Sequence, residues 1–583
     1  MQLKIEPELK LFKKDKVYDL SEYAQGMTIQ KTLNNPASAF NITLNPSLTT
    51  QGKFTLSAAR MFNQLKKLID LNDIIAGKLD RRSRHYSFLG FVSNPYEGLS
   101  TVNNQTSRSW VIDGSLVLPK LLIKDDIVAC PQLATLPEIT NDPILSKRAK
   151  FFAWTRGDIY FFNGLMYPNL SNFISRPAPD YVNQPTVPGP PNNYVNRPTE
   201  LTKGTVFVNT PQKIIEWILN EAVATNTEIF IDKTAKSLFP GPKSGIKDID
   251  SKPILNFQFL DGEFIYGEIL TKFSGPLINY IYECLDKDFY EVFFDTVTGE
   301  DGLPYNNMII RTKPFTNKDI DQSSFFTGWT NWEDLDTIKL NPEDILRINT
   351  GKSDYELKNF FKVNYNKVLV SRIMGEFGLN YPVLNINSIK KYGLRALNVN
   401  STIVVDLSKL KEKHNKKLKT DDPETFSELL ASGDEELISG LLEKRDKIKE
   451  WYAFPYYESG PIQTKLNEAI SIGKRIELPE YEYYNPFDKK IYKGCKFYVN
   501  EVKHSFQWGQ FAQTELNVTR GHPDGVVKAW FDHPDNKFTK TPLEIDLQKV
   551  LIKKMKRDPQ AFYDKVYEIN RNIFDQIEEI QSA

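Results

Sequence analysis

Two stretches of alternating polar and apolar residues, one near each end of the chain, most constrain how this sequence can fold. In the first, Phe40, Ile42 and Leu44 alternate with polar residues and share one face of a strand. The second stretch, residues 462–521, has the same alternation. Residues with helical spacing lie between them. This order predicts a mainly β protein of the α+β class, with a β unit at each end and a helical middle region.

The first 130 residues predict one short helix and several strands. The helix is expected over residues 61–69, packed on the sheet. Strands are expected over residues 72–76, 86–92, 110–114 and 116–118. Gly90 lies inside one of these strands, where a glycine indicates a bulge or a close approach of the backbone to another group. We interpret this unit as a small barrel.

The middle of the chain combines helical segments, a hairpin and an insertion. Residues 176–198 are rich in proline and predict an extended loop. Helices are expected over residues 211–222 and 264–285, the second interrupted at Gly275-Pro276. A hairpin is then expected, with its strands over residues 290–295 and 307–311.

Two further segments carry distinct patterns. Residues 409–447 contain a basic patch (410–419) and an acidic helical segment (421–446), for which we expect a solvated surface of both signs. Residues 543–580 have an apolar stripe at helical spacing, which must cover either its own domain or a partner.

The charge balance excludes several classes of function. Lys and Arg together number 74, as do Asp and Glu, so the formal net charge is zero. Phosphate recognition by a global basic field is therefore excluded, and we expect no specific nucleic-acid binding. Proteins near zero net charge tend to associate, which favours a role in an assembly.

The scarcity of histidine and cysteine restricts the chemistry. The chain has five His and three Cys, with neither C-x-x-C nor H-E-x-x-H. We therefore expect no disulfide framework, no metal site and no cofactor. A nucleophile elbow (G-x-S-x-G) is absent, and residues 350–353 resemble a phosphate loop but lack its first glycine. We assign no catalytic residue.

Two single-residue features have ordinary structural interpretations. His504 lies in an alternating run, where its ring is expected to bond a neighbouring strand. The cysteines are expected to be buried and inert. The amino terminus lacks the apolar core of a signal peptide and no run suits a membrane span, so we expect neither secretion by the general route nor a span.

The second β stretch resembles the closing barrel of bacteriophage baseplate hub proteins. In that family a strand with a Tyr-Tyr-Val type core leads to a His-x-Phe strand and then to a strand ending in Thr-x-Leu-x-Leu-x-Arg-Gly. Val518 and Phe497 are mild departures from this pattern. The matching residues are Gly473, Tyr498, His504, Phe506, Thr514, Arg520 and Gly521.

Three earlier stretches resemble the same family, in collinear order. Asp73 and Gly90 fit the "apolar-x-Asp-Ile" and "Phe-x-Gly-x-Val" strands of its first barrel. The family's central hairpin ends in an Arg-x-x-Pro-Phe type sequence, and its second barrel begins near a Ser-Asp pair. The residues matching these two motifs are Arg311, Pro314, Phe315, Ser353 and Asp354.

The resemblance implies four regions. They are a first tube-like β-barrel (1–135), a helical and insertion region with the central hairpin (136–340), a second tube-like β-barrel with the charged insertion (341–525), and a helical arm (526–583). It also implies a homotrimer whose six barrels form a pseudo-sixfold ring around the DNA channel. That ring joins the tail tube protein to a central spike or tip protein in the virion baseplate.

The resemblance also implies contacts with the tape-measure protein and the baseplate wedge, and synthesis in the cytoplasm of the host bacterium. Two alternatives remain open. One is a tail-associated cell-wall hydrolase on a hub-like platform, for which residues 526–583 and the insertion offer little room. The other is a receptor-binding tail tip.

Overall fold

A computed structural model describes the two ends of the chain nearly completely and the middle in short stretches. The described residues are 5–13, 16–33, 35–45, 58–102, 105–123, 126–127, 137–141, 159–162, 165–168, 215, 255–259, 263–265, 275–283, 285–299, 304–314, 328–365, 382–401, 403–405 and 435–539. The predicted helix 211–222, the proline-rich loop, the basic patch and the stripe over 543–580 lie outside these residues, apart from Ile215.

The first part of the chain forms eight strands and three helices. They are β1 (Glu8–Lys13), β2 (Lys16–Asp19), β3 (Ala24–Thr32), β4 (Asn35–Leu44), α1 (Ala58–Leu68), β5 (Ile74–Lys78), β6 (Phe88–Val102), β7 (Gln105–Leu116), α2 (Val117–Ile123), β8 (Asp126–Ile127) and α3 (Pro137–Thr140).

In its described stretches, the middle contains short strands, a helix and a long hairpin. They are β9 (Ile159–Phe162), β10 (Leu165–Pro168), β11 (Leu255–Phe257), β12 (Glu263–Ile265), β13 (Gly275–Pro276), α4 (Leu277–Glu283), β14 (Tyr290–Thr298) and β15 (Pro304–Thr312). The strands β14 and β15 pair along their full length and, with β11, form a three-stranded sheet. We call this pair the central hairpin, and it confirms the predicted one.

The last part is again β-rich. Its elements are β16 (Thr337–Lys339), β17 (Ile345–Ile348), β18 (Gly351–Lys352), β19 (Phe360–Tyr365), β20 (Val383–Leu384), α5 (Ile386–Tyr392), β21 (Ala396–Ser401), β22 (Ile403–Val405), α6 (Glu435–Tyr452), β23 (Glu458–Lys465), β24 (Arg475–Asn485), β25 (Lys490–Gln507), β26 (Phe511–His522) and α7 (Val526–Asp532).

One curled, half-barrel sheet of 14 strands joins the two ends of the chain. Its path runs β17-β23-β26-β25-β3-β4-β7-β6-β5-β1-β2. Off this path, β18 pairs with β23, β24 pairs with β25, and β16 pairs with β24. We call β1–β7 the N-terminal half and β16–β18 with β23–β26 the C-terminal half. The protein is therefore mainly β, as predicted.

The 18-residue strand β25 connects the two halves. Along one edge, its residues 490–498 pair with β24 and residues 501–507 pair with β3. Along the other edge it pairs with β26. Because His504 is opposite both Ile29 and Thr514, the hydrogen-bonded ladder passes without a gap from one half to the other.

The N-terminal half forms because its predicted apolar faces are buried. Phe40, Ile42 and Leu44 are at most 3% exposed. The helix α1 packs on the sheet through Phe62, whose ring meets Trp110 edge-on at 6.0 Å. These observations confirm the predicted strand and the predicted helix over 61–69.

Three local expectations are wrong. Val117 and Leu118 begin the helix α2 instead of ending a strand, and Asn306 Oδ1 accepts the backbone N–H of Leu118 at 2.9 Å. Phe264 and Ile265 belong to the strand β12 because they pair with β22. Of the helix predicted over 264–285, the described residues show the segment Leu277–Glu283.

The third error concerns the charges on α6. A solvated surface was expected, but Lys444 and Arg445 are each only 2% exposed. Lys444 Nζ lies 3.1 Å from Asp286 Oδ2, and both side chains are buried. Tertiary pairing thus overrides the local charge pattern.

Candidate functional site: the buried polar junction

A buried ionic network attaches the central hairpin to the C-terminal half. Arg311 on β15 donates from Nε to Glu291 Oε1 at 2.6 Å. Its Nη2 donates to the Gly473 carbonyl at 2.6 Å and to Tyr498 Oη at 3.3 Å. Tyr498 Oη lies 2.7 Å from both carboxylate oxygens of Glu291. The network brings together three of the predicted residues, Arg311, Gly473 and Tyr498, with Glu291, which the motifs did not indicate.

The electrostatics of this network favour the charged pair. Burial by itself would lower the pKa of Arg311, but the adjacent Glu291 carboxylate raises it above its ordinary value. Burial raises the pKa of Tyr498, so this phenol stays protonated and acts as a donor. A buried, hydrogen-bonded ion pair fixes the relative position of the two elements that carry it. Removing one partner leaves the other charge buried and uncompensated.

Gly473 is required by the shape of this site. Its φ is +73°, in the left-handed region. A Cβ on Gly473 would lie 2.5 Å from Phe293 Cζ and 2.8 Å from Arg311 Nη2. The glycine therefore allows Arg311 to reach its backbone carbonyl.

A second polar group attaches the hairpin to the N-terminal half. Lys31 Nζ on β3 lies 2.5 Å from Asp295 Oδ1 on β14. Burial alone would raise the pKa of Asp295, but the ammonium of Lys31 lowers it below its ordinary value. This pair and the Arg311 network together define what we call the junction.

His504 lies beside that pair and is neutral. It is 2% exposed, with Nδ1 2.9 Å from Thr514 Oγ1 and Nε2 3.2 Å from the Ile470 carbonyl. Since a carbonyl only accepts, Nε2 carries the proton and Nδ1 accepts from the Thr514 hydroxyl. Burial and the nearby Lys31 lower the pKa of His504 to about 3. The predicted bond to a neighbouring strand is confirmed, because Thr514 lies on β26.

Two further contacts to the N-terminal part of the chain have no counterpart in the motifs. Glu468 accepts hydrogen bonds from the Leu79 amide at 2.7 Å and from the Ser87 hydroxyl. Asn306 Nδ2 donates to the Leu89 carbonyl at 3.1 Å. Asn306 and Met308 lie on the same buried face of β15. An amide in an otherwise apolar run was the sequence signal that could have indicated a buried hydrogen-bonding role for Asn306.

The predicted residues of the N-terminal half lie apart from the junction. Gly90 and Gly114 flank the ring of Phe40, and a Cβ on them would lie 2.2 and 2.0 Å from it. The predicted close approach at Gly90 is thus confirmed. Asp73 precedes β5 and accepts from Lys13 Nζ at 3.1 Å. Burial raises the pKa of Asp73.

The other predicted residues are distributed over the C-terminal part. Ser353 and Asp354 lie on the surface, where Asp354 Oδ2 accepts from Arg395 Nη2 at 2.7 Å. Phe506 is buried opposite Met27 of β3, and Pro314 is buried just after β15. Phe315 lies outside the described residues. Arg520 and Gly521 are buried near the end of β26.

The chemistry of these groups is that of a structural joint. Among the described residues, no cluster of three or more His, Cys, Asp or Glu side chains is arranged to hold a metal ion. Cys495 is buried, and burial raises the pKa of its thiol. His522 Nδ1 donates to the Arg520 carbonyl at 2.8 Å, and burial lowers the pKa of His522 to about 4. None of the helices that the structure describes is long and apolar enough to cross a membrane.

Comparison with known proteins finds similar solved structures. No protein-family model and no curated sequence match the chain. A tail protein from Neisseria meningitidis MC58 aligns with 91% of this chain and 99% of its own, at 9% identity and a TM-score of 0.39. The prophage MuSo2 43 kDa tail protein from Shewanella oneidensis aligns with 88% and 98%, at 8% identity and a TM-score of 0.37.

A third structure comes from a secretion system. It is the E. coli c3393 protein, a component of the type VI secretion system described as structurally similar to the T4 bacteriophage tail proteins gp27 and gp5. The alignment covers 86% of this chain and 74% of that one, at 7% identity and a TM-score of 0.32. The chain is thus similar to two tail proteins and to a type VI secretion component of known structure. At TM-scores below 0.5, these likenesses transfer no residue roles.

Proposed function

We propose that this protein is the structural hub of a phage tail baseplate. Three copies form a pseudo-sixfold ring that joins the tail tube to the central spike or tip and surrounds the DNA channel. The observation that carries this proposal is the continuous 14-stranded sheet, in which β25 joins the two halves of the chain. The collinear family motifs of the sequence support the same role.

The proposal assigns a domain to each part of the chain. Residues 1–135 and 341–525 are the two tube-like barrels, 136–340 is the middle region with the hairpin, and 526–583 is the arm. The junction then has a mechanical purpose, because it fixes both halves of the sheet against the central hairpin. A ring that transmits load from tube to tip needs a fixed angle between its barrels.

The two ends of the sheet support assembly with neighbouring chains. The path of the sheet ends at β2 and β17 in the described part of the chain. Such edge strands present backbone groups that another chain can pair with. Leu346 on β17 is 53% exposed, as expected of a contact residue. Closed rings of identical subunits bury edges of this kind.

The partners follow from the hub role. They are two further copies of the chain, the tail tube protein and the spike or tip protein, with the tape-measure protein and the baseplate wedge nearby in the virion. The role is structural and needs no catalysis, so a zymogram on cell walls is expected to show no clearing. Clearing by the purified chain would favour the hydrolase alternative.

The oligomeric state tests the proposal directly. Mass photometry and electron microscopy of the full chain, with tube and spike partners present, are expected to show rings of three copies. The change Leu346→Lys should reduce the ring fraction, whereas Tyr355→Lys, at an exposed residue that lies outside the strands, should not. A chain that stays monomeric with its partners present would contradict the hub assignment.

A further inference from the structure

The two halves of the sheet repeat the same strand order. In the N-terminal half, β3 pairs with β4, β4 with β7, β7 with β6 and β6 with β5. In the C-terminal half, β17 pairs with β23, β23 with β26, β26 with β25 and β25 with β24. All these pairs are antiparallel, so each of these strands has an equivalent in the other half.

A β-bulge aligns β17 with β3. The register of β3 against β4 shifts after Ala24, and the register of β17 against β23 shifts after Ile345. Beyond the shift, β17 and β18 continue along β23 in one register. Residues 347–352 are therefore the equivalents of residues 26–31 of β3. We call residues 347–352 the β17 edge.

A second bulge aligns β6 with β25. The register of β6 against β7 shifts after Val92, and the register of β25 against β26 shifts after Val499. In both strands the pairing with the strand on the other side, β5 or β24, ends one residue before this shift. Residues 94–100 of β6 are therefore the equivalents of residues 501–507 of β25. We call residues 94–100 the β6 edge.

One strand pair has no counterpart inside the chain. Residues 501–507 of β25 pair with β3 along the side that β24 has left. In the described part of the chain, the equivalent side of the β6 edge pairs with no strand, and the β17 edge pairs only with β23. Two strand edges of the kind that meet inside the chain are thus left unpaired.

The exposure of the equivalent residues agrees with a missing partner strand. His504 and Met27, at the contact of β25 with β3, are 2% and 1% exposed. Their equivalents Glu97 and Ile348 are both partly exposed. Tyr96, beside Glu97, is 41% exposed. Positions that the internal contact buries are therefore still open on the two unpaired edges.

We propose that the β6 edge of one copy pairs with the β17 edge of a second copy, as β25 pairs with β3 inside each chain. The equivalence fixes an antiparallel register in which Tyr96 lies opposite Gly351, because Lys503 lies opposite Gln30. Pro95 has no backbone N–H, so the hydrogen-bonded ladder begins after it.

This contact joins two different edges and therefore runs head to tail from copy to copy. Repeated three times, it closes the ring of the proposed function with the same kind of strand pair that joins the halves of each chain. The closure into a ring of three rests on the proposed hub function, whereas the strand pairing rests on the repeated strand order.

Cysteine cross-linking of the full chain, with tube and spike partners present, tests this register. The double variant Tyr96→Cys/Gly351→Cys places two thiols opposite each other, where Cβ atoms of an antiparallel pair lie about 4.5–5.5 Å apart. Tyr96 is partly exposed, and no atom lies within 4 Å of a Cβ on Gly351, so both positions accept the change. Mild oxidation should yield covalent trimers on a denaturing gel.

Two controls define the contact. Tyr96→Cys/Ile491→Cys moves the second thiol to a residue that is 64% exposed, near the turn between β24 and β25, and should give only the background of the single variants. An equal mixture of the single variants Tyr96→Cys and Gly351→Cys should give covalent dimers and no trimers, because each copy then carries one thiol of a head-to-tail contact.

The outcomes separate this inference from the hub assignment. Rings in electron micrographs without the cross-link between residues 96 and 351, or with equal cross-linking of the Ile491 control, would overturn the pairing and leave the hub intact. Cross-linked open chains without rings would support the pairing and contradict the hub. A chain that stays monomeric and uncross-linked with its partners present would overturn both.

Discussion

The two halves of the sheet are stabilised differently. Among the described residues, the N-terminal half and the residues flanking its strands bury few polar groups: Lys31, Ser38, Asn45 and Ser87. The C-terminal half buries many more: Glu458, Thr464, Ser471, Arg475, Asn485, His504, Ser505, Thr514, Thr519, Arg520 and His522. Both belong to one continuous ladder, so the difference lies in their side chains and not in their backbone pairing.

This difference means that apolar packing mainly stabilises the N-terminal half, whereas buried hydrogen-bonded networks also fix the geometry of the C-terminal half. Apolar packing such as Phe40 against Phe88, at a centroid distance of 4.6 Å, is non-directional and tolerates small shifts. A buried network such as Arg311, Glu291 and Tyr498 holds only in one arrangement, because each donor must face its acceptor. The C-terminal half, which carries the junction, is therefore the half that should respond to charge and pH.

The largest effect expected of a single substitution comes from removing the cation of the junction. Arg311→Met leaves the Glu291 carboxylate buried without its partner, and breaking a buried pair in this way typically lowers the free energy of unfolding by about 3–5 kcal/mol. Chemical denaturation of the full chain measures it. The control Lys465→Met breaks an exposed pair with Asp344, both about half exposed, and should cost about 0–1 kcal/mol. Equal costs for the two variants would contradict the junction's role.

Lowering the pH should destabilise the C-terminal half. His504 and His522 have pKa values of about 3 and 4 in the folded chain, against an ordinary 6.5. Between about pH 6.5 and 4 the unfolded chain binds protons that the folded chain refuses. The free energy of unfolding should thus fall as the pH drops, by about 1.4 kcal/mol per pH unit for each histidine.

A single variant isolates this effect from other titrating groups. Burial raises the pKa of Glu468, which contributes with the opposite sign in the same range. In His504→Gln the amide can donate to Ile470 and accept from Thr514 without titrating. Its denaturation midpoints, measured from pH 7 to 4.5, should show a shallower slope than the wild type. Parallel curves for the two proteins would refute a neutral buried His504.

The smallest expected effect tests the apolar half. In Gly114→Ala the new methyl group would lie 2.0 Å from Phe40 Cζ and 2.3 Å from the Phe91 carbonyl oxygen. Overpacking of this kind costs about 1–3 kcal/mol. Thermal unfolding should show the loss with an unchanged pH dependence. Gly351→Ala, where no atom lies within 4 Å of the new carbon, is the matched control and should be close to neutral. A pH-dependent loss in Gly114→Ala would remove the distinction between the halves.

The buried faces of strands and helices could be predicted where apolar residues recur at regular spacing. The alternation at Phe40, Ile42 and Leu44 predicted their burial, and the helical spacing near residue 61 predicted α1. The prediction failed where a distant partner decides the local state. Leu118 lies in the helix α2, and its backbone N–H donates to Asn306, far along the chain on β15. Lys444 is buried because it pairs with Asp286.

The motif residues show the same division. The sequence pattern placed Gly473, Tyr498, His504 and Thr514 in one barrel motif and Arg311 in the hairpin motif. Apart from the bond of His504 to a neighbouring strand, it assigned them no contacts. The carboxylates Glu291, Asp295 and Glu468, which bind Arg311, Lys31 and Ser87, carry no local signal, since carboxylates are abundant in this sequence and most are solvated.

The sequence by itself determined the class of fold, the hairpin and the absence of a global basic field, because period-2 alternation and total charge are properties of the chain alone. Only the tertiary structure decided that β3 and β25 pair, that the halves form one sheet, and that Arg520 lies buried against Trp451. These features depend on contacts between residues far apart in the sequence. Their energies arise from burial and geometry, which no short window of sequence contains.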